Sequence, residues 1–464
     1  MAEKTETARQ AEDRELFERT PVPKALFKMA VPTIVSQLIT LVYNMADTWF
    51  IGRTNDPFKI AAASLVLTVF LMTVAIANLF GVGGGSLAVR LTGGGDREEA
   101  RRVASWSLVM GGLSALVFSV VCLAAMDPLL RLLGASDDTI GYARQYLLFV
   151  VVIGGVPTVL SNIMATMLRN AGRSRQAGFG LSLGGVLNIA LDPLVMFVLL
   201  PDGYQIMGAG IATLVSNVVS FVYFLFVYRS IRGETALEIP RRVERIRRDS
   251  LGSVFEVGIP AALSLFLFDL TNIVINKLSS AHGDVELAAI GIVQKVERLP
   301  LNIGVGICLA MVPLVAYNYA SGDHRRMRAF FSAARWAGLG IAAVCVVLYR
   351  IFAPQLIEVF ISDADTVRFG QEFLSARCFA TPFMFLSFHM VHYMQAIGRG
   401  RVSFWLAAIR QLALNIPILF LFNHLFGMTG IVWTQLTADV LNVILSYVIY
   451  CRLPAPAGRR RVSR

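Results

Sequence analysis

Of 464 residues, 56% are hydrophobic and only 16% charged, where soluble domains run at about 45–50% and about 25%. A mean hydropathy of +0.63 sets aside a soluble enzyme, a disordered chain and a nucleic-acid binder as first readings. The net charge of +11 comes from basic residues scattered through short connections, a pattern that membrane orientation explains more simply than nucleic-acid contact.

Residues 1–24 are polar and mixed in charge, with no apolar core of a signal peptide, so a retained cytoplasmic tail is expected. Apolar stretches then follow at about 26–50, 60–90, 103–125, 143–168, 177–200 and 207–228. A second set lies at about 253–278, 287–318, 329–353, 371–397, 403–425 and 428–451. Each can supply the roughly 20 residues a spanning helix needs, and each is bounded by Gly, Pro or charge. The spans at 287–318 and 371–397 are the weakest, being interrupted by Lys295, Glu297 and Arg298 and by Arg377. An even count puts both tails on one side. Lys and Arg number about 31 in the tails and even-numbered connections against about 7 in the odd ones, which places both termini in the cytoplasm. The basic run Arg241 to Arg248 reads either as an amphipathic helix on anionic lipid or as a solvated linker. The five cysteines, Cys122, Cys308, Cys345, Cys378 and Cys451, lie in or beside apolar runs without Cys-x-x-Cys spacing and read as packing residues.

The chain repeats itself at about 220–228 residues with its landmarks in order. Val31-Pro32, Ser36 and Asn44 are echoed by Ile259-Pro260, Ser264 and Asn272. Gly95-Asp96 recurs as Gly322-Asp323, Pro157 as Pro382, Asn188 as Asn415, and Gly210-Ile211 as Gly430-Ile431. Six spans per half is an even number, so both halves enter the membrane in the same direction. The repeat is therefore parallel, with a site expected between or inside the lobes.

Ionisable residues inside spans cost several kcal/mol and are functional candidates by default. Asp47 lies near the outer end of the first span, one turn from Asn44. Asn188 and Asp192 are i and i+4 on one face of the fifth, and Pro193 should loosen the helix beside the carboxylate. Freed backbone, an amide and a carboxylate make a cation or proton site; helix capping is the plainer role for either acid. The second half lacks an equivalent acid at Asn415, where Ile416-Pro417 follows, and offers Asp269 instead, nine residues past Pro260. Glu297 with Arg298 and Asp439 with Arg410 read as internal ion pairs, a structural role. His389 and His392 share a face but have no nearby acid, so no metal site is expected. Gly81 to Gly85 lacks the Lys-Ser/Thr of a phosphate loop and reads as close helix packing through small residues. No nucleophile or metal constellation is visible, so an enzyme is not expected, nor a cofactor.

These residues resemble the multidrug and toxic compound extrusion (MATE) transporters. The likeness is carried by Val31-Pro32, Asn44-x-x-Asp47-Thr48, Ala171-Gly172-Arg173, Asn188-x-x-x-Asp192-Pro193, Gly208 to Thr213, Gln294-Lys295 and Pro313 to Tyr319 with Gly322. It covers about residues 20–452. It implies an all-α polytopic membrane protein with about twelve transmembrane helices, in two pseudo-two-fold-related six-helix lobes around a central cavity. The segments expected on this basis are a cytoplasmic tail at 1–24, an N-lobe at 25–229, a linker at 230–252, a C-lobe at 253–452 and a basic tail at 453–464. The resemblance also implies efflux of small organic, mainly cationic, substrates by antiport against H⁺ or Na⁺, with access alternating between the lobes. Cation-coupling residues carried over are Asp47, Asn188, Asp192 and Thr213. Asp269 matches an acid that other relatives use in the C-lobe, but the tenth span lacks the acid that would complete that arrangement, which favours the N-lobe. The expected protein is a monomer in the plasma or inner membrane, in contact with lipid and not with nucleic acid. A flippase for lipid-linked oligosaccharide or polysaccharide precursors, with a related bilobed fold, is the alternative. Few basic residues, among them Lys295, Arg298, Arg377 and Arg410, lie well inside spans, which counts against its phosphate head groups.

Overall fold

The computed structural model describes residues 15–201, 203–231, 244–361 and 363–452; of Leu265, Phe266 and Asp269 only the backbone is described. Among the described residues the regular structure is entirely helical. In the first half, α1 is Val22–Gly52, α2 Pro57–Gly93 and α3 Arg97–Ala124. Next, α4 is Asp137–Ile153 continued, after a 46° bend, by Gly155–Asn170; α5 is Ser174–Leu199 and α6 is Gln205–Ser230. In the second half, α7 is Arg248–Ser279, α8 Asp284–Ser321 and α9 His324–Glu358. The tenth helix, α10, runs through Ala364–Arg377, Cys378–Ala380 and Thr381–Ala396. Gly400–Arg452 is broken at Gly427, with α11 before the break and α12 after it.

All twelve expected spans thus have a helical counterpart. Among the described residues, eight stretches are long and apolar enough to cross a bilayer, or nine with the bent α4, taking Gly400–Arg452 as one. Fifty-three residues of unbroken helix would be roughly 80 Å long, far more than the roughly 30 Å of hydrocarbon. Gly427 resolves this with φ 59° and ψ −138°, a backbone that only glycine adopts readily. Beyond it the chain returns so closely that a Cβ on Gly430 would lie 2.1 Å from the carbonyl oxygen of Phe422. With α7 and α10 the helices number twelve. Lipid-facing surface is evident on α3, where Leu113, Leu116, Val117, Val120 and Val121 are all exposed. In water such a stripe would be a liability, whereas in hydrocarbon it is the expected outer face. The protein is a multi-pass membrane protein.

Two compact units are present. The first is built on Val31–Ala262; the second consists of Pro21–Ala30 and the helices from Leu263 onward. The core of the first gathers Phe80 of α2, Leu108 of α3, Ile163 and Met164 of α4 and Phe224 and Tyr228 of α6. That of the second gathers Ile290 and Val293 of α8, Tyr349 of α9, Phe373 and Leu374 of α10 and Leu419 and Ile431 of α11 and α12.

Glycines set the closest helix crossings in the first unit. A Cβ on Gly83 would meet the carbonyl oxygen of Val254 at 2.3 Å, and one on Gly258 that of Leu79 at 2.1 Å. Gly84 and Gly85 leave the same room for Ser107 and Asn170. The Gly81–Gly85 run is therefore helix packing, as its sequence suggests.

The segment before α7 differs from one of the two expectations for it. Glu244–Arg247 has no regular structure and α7 starts only at Arg248, so no amphipathic helix forms there; residues 241–243 lie outside the described residues. The cause is the buried carboxylate of Glu99 on α3. Its Oε1 accepts the Arg247 N–H at 2.9 Å and the Ser250 hydroxyl at 2.7 Å, anchoring the start of α7. Arg247 also pairs with Asp96, and Arg102 bridges Glu98 and Glu244. Of the cysteines, four are buried and Cys451 is exposed at the end of α12, so it is not a core residue.

The Gly83 crossing leads to a direct test. Gly83→Val should destabilise the protein by about 1–3 kcal/mol or more, because the neighbour is backbone and cannot rotate away. Gly291→Ala, with nothing within 4 Å of the added Cβ, should be neutral or stabilising by up to about 1 kcal/mol. Thermal unfolding of the two variants in detergent checks the contrast; equal midpoints would contradict it.

Candidate functional site

The first unit brings together side chains from α1, α4, α5 and α6. Asp192 on α5 is fully buried and Asn188, one turn earlier, is 3% exposed. The Asn188 amide Nδ2 lies 3.4 Å from Asp192 Oδ1 and 3.3 Å from Thr213 Oγ1 on α6. The i, i+4 spacing on α5 thus puts amide and carboxylate side by side, and Thr213 joins them. Asp47 on α1 accepts a hydrogen bond on Oδ2 from the Tyr146 hydroxyl of α4, at 3.2 Å. Asp47 and Asp192 lie within electrostatic reach of each other.

Hydrogen bonding leaves a consistent remainder. Asp47 Oδ1, Asn188 Oδ1 and Asp192 Oδ2 are all buried, and none has a donor among the described residues. The Ser216 hydroxyl, one turn beyond Thr213, is in the same condition. Three carbonyl-type oxygens without donors are the kind of set that a hard monovalent cation or a proton satisfies.

Asn44 does not join the site. Its amide turns back to the Thr40 carbonyl at 2.8 Å and the residue is exposed. Pro193 sits inside α5 as expected, and the helix widens to π geometry on its C-terminal side, over Val195–Leu199. That widened turn packs closely on α6, where a Cβ on Gly208 would lie 2.9 Å from Met196 Cα. Tyr146 and Ser216 escape sequence reasoning. Nothing in the sequence separates this tyrosine or this serine from the many others in apolar runs.

The second unit is different. Asp269 lies in α7, but its side chain is outside those described. Asp439 pairs with Arg410 as expected, with Nε 2.5 Å from Oδ1. Glu297 does not pair with Arg298, which is exposed. Neighbours in a helix point about 100° apart and do not face each other. Instead Glu297 takes a forked contact from Arg377 of α10, at 2.9 to 3.1 Å. His389 and His392 spend ring nitrogens on the carbonyls of Phe331 at 3.1 Å and Phe388 at 2.8 Å. No cluster of three His, Cys, Asp or Glu suited to a metal occurs among the described residues.

The MatE family model matches the sequence twice, over residues 32–194 and 260–421. The chain belongs to the MATE family. The two matches begin at positions 32 and 260, at the Pro32–Pro260 spacing of the internal repeat. Among curated relatives, a protein named multidrug export protein MepA from Staphylococcus saprophyticus is 31% identical over 435 residues, covering 93% of this chain and 94% of that protein. Its namesake from Staphylococcus aureus is 29% identical over the same shares. Among solved structures, an outward-facing multidrug resistance MATE family transporter superposes with a TM-score of 0.88 at 24% identity, covering 94% of this chain and 96% of that one. A mutant form of the Vibrio cholerae MATE transporter VcmN gives 0.87 at 21% identity, covering 93% and 96%. These likenesses support the all-α architecture of two six-helix lobes.

The Glu297–Arg377 fork allows a stability test that separates it from the site. Arg377→Met strands a buried carboxylate and should cost about 3–5 kcal/mol, whereas the double change Glu297→Met, Arg377→Met should recover much of that loss. Unfolding midpoints of the single and double variants decide; additive losses would rule out a coupled pair.

Proposed function

We propose that this MATE protein is a multidrug exporter that moves small organic, mainly cationic, substrates out of the cell against an inward flow of H⁺ or Na⁺. The observation that supports this reading most is the set of buried oxygens without donors on Asp47, Asn188 and Asp192. Two carboxylates held together away from water carry a free-energy cost that an added positive charge removes. A proton or sodium ion can supply that charge. So can a cationic substrate placed nearby. Because both relieve the same cost, occupancy by one disfavours the other, and that competition is the physical content of antiport. Names of the MepA relatives point to the same export activity.

In this mechanism Asp192 is the principal acceptor, Asn188 orients it and offers its own oxygen, and Thr213 holds the amide in place. Asp47 shares the charge under the hand of Tyr146. The widened turn after Pro193 supplies the freedom for α5 to differ between the loaded and unloaded states. Binding would then bias which membrane face the site opens to, giving alternating access. Soft, polarisable Met and aromatic side chains suit substrates of many shapes. The expected setting is the plasma or inner membrane, with both termini cytoplasmic and the chain acting as a monomer without a cofactor.

Efflux from proteoliposomes under an imposed pH gradient, or separately an imposed sodium gradient, tests the coupling site. Asp192→Asn keeps shape and burial but removes the charge, and should abolish gradient-driven efflux while leaving the protein folded. Asn188→Ala should weaken ion dependence by about tenfold, since roughly 1.4 kcal/mol separates a good oxygen ligand from none. Full ion dependence in Asp192→Asn would place the coupling site elsewhere.

Orientation has its own test. Cysteines introduced beside Gly172 and Gly322 should react only from the cytoplasm, and those beside Asp137 and Asp365 only from outside. One reversed loop would undo the topology.

A further inference from the structure

The second unit holds a buried polar cluster at the place in the repeat where the first unit holds its candidate site. Asn415 is the repeat counterpart of Asn188, and each amide reaches a polar side chain on the next helix. For Asn415 that partner is Gln435, whose Oε1 accepts Nδ2 at 3.4 Å. The position of Asp192, however, is taken by Leu419, which is fully buried. Its carboxylate has moved, in effect, to Asp439 on α12.

Asp439 is fully buried, with each oxygen already engaged. Oδ1 lies 2.5 Å from Arg410 Nε, and Oδ2 accepts the Gln435 amide at 2.6 Å. Gln411 accepts from Asn415 at 3.2 Å and from the Thr271 hydroxyl at 3.3 Å. The guanidinium of Arg410 lies 5.0 Å from the ring centroid of Phe388, a favourable site for a planar cation. Pro417 has no N–H to give the Ala413 carbonyl, and the preceding Ile409–Asn415 segment is π-helical. In that geometry residues four and five apart stack, so Gln411 and Arg410 both come under Asn415.

We propose that this cluster is a pocket for a guanidinium-class cation, and that Arg410 is the tethered cation that keeps it filled. Removing the Arg410 side chain beyond Cβ opens a site for free alkylguanidinium ions, with Asp439 as counter-charge, the Gln435 amide fixing its second oxygen, and Phe388 as the flat wall. Arg410 is a positioning residue rather than a substrate ligand. Its role is to deny the second unit the exchangeable cation that the donor-free oxygens of the first unit invite.

The test is ligand-dependent thermal stability of the full-length protein in detergent. N-ethylguanidinium replaces the atoms lost in Arg410→Ala, and N-ethylurea has nearly the same shape without the charge. Arg410→Ala should unfold at lower temperature than the native protein, and millimolar N-ethylguanidinium should restore at least half of the loss in a saturable way. N-ethylurea should restore none. The native protein sets the baseline for cation binding in the first unit, and the double change Arg410→Ala, Asp439→Asn should gain no more from either compound than the native protein does. If Arg410→Ala is recovered only when purified with N-ethylguanidinium, that dependence is the same positive result. No rescue of Arg410→Ala, equal rescue by N-ethylurea, or equal stabilisation of the double variant would overturn the proposal.

Discussion

A carboxylate inside a hydrocarbon-embedded helix bundle has no water to share its charge, so the protein must supply every partner. Four buried or nearly buried acids of this chain meet that demand in four ways. Glu99 accepts a backbone N–H and a hydroxyl at the start of α7. Glu297 accepts a guanidinium fork from Arg377. Asp439 divides its two oxygens between Arg410 and the Gln435 amide. Asp192 alone among them has only an amide, at 3.4 Å; its second oxygen and that of Glu99 both lack a hydrogen-bond donor among the described residues, but Glu99 Oε2 has the guanidinium groups of Arg247 and Arg102 at 3.8 and 3.9 Å. The first three each have a guanidinium within ion-pair distance and serve structure. The fourth is open, and that is the physical ground for reading function into it.

Backbone devices give these acids their surroundings. Gly83 and Gly258 let helices approach until backbone meets backbone, which anchors α7 within the first unit. Prolines and π turns lie beside the polar clusters in both units, with Pro193 before Val195–Leu199 and Pro417 after Ile409–Asn415. A π turn frees a carbonyl and rotates the side chains that follow, so a single insertion can redirect a polar face without ending the span. Helices that were regular throughout would hold Arg410 and Asn415 on diverging faces.

Sequence alone carries the spans, the repeat and the contacts that one helix makes with itself. Asn188 and Asp192 are legible because i, i+4 spacing is a property of any α-helix. Arg410 with Asp439 is legible because a cation and an anion alone in adjacent apolar spans have few other partners. The pairing of Glu297 is not. Its sequence neighbour Arg298 points away, and the true partner, Arg377, is 80 residues distant on a helix whose rotation only packing decides. Tyr146 is illegible for the same reason: its hydroxyl becomes meaningful only once α4 is seen to deliver it to Asp47. The Glu99 anchor at Arg247 likewise joins residues 148 apart. What escapes the sequence is thus the relative rotation of helices, not their existence.

The two halves show what duplication leaves free to change. Both match one family model and both keep an asparagine at the same place in the fifth helix of the half. The hydrogen-bonding remainder around those asparagines differs in sign. Near Asn188 the unpartnered atoms are carboxylate and amide oxygens, all able to accept; near Asn415 they are one amide oxygen and one nitrogen of Arg410, an acceptor and a donor. An excess of acceptors attracts a positive charge from outside, while a matched donor and acceptor do not. Placing an acid at position 192 and leucine at 419, with arginine at 410, is enough to give one scaffold these two electrostatic characters. Fold symmetry therefore survives while the chemistry of the halves diverges, because the shared helix packing depends on small and apolar residues and the difference lies in a few buried charges.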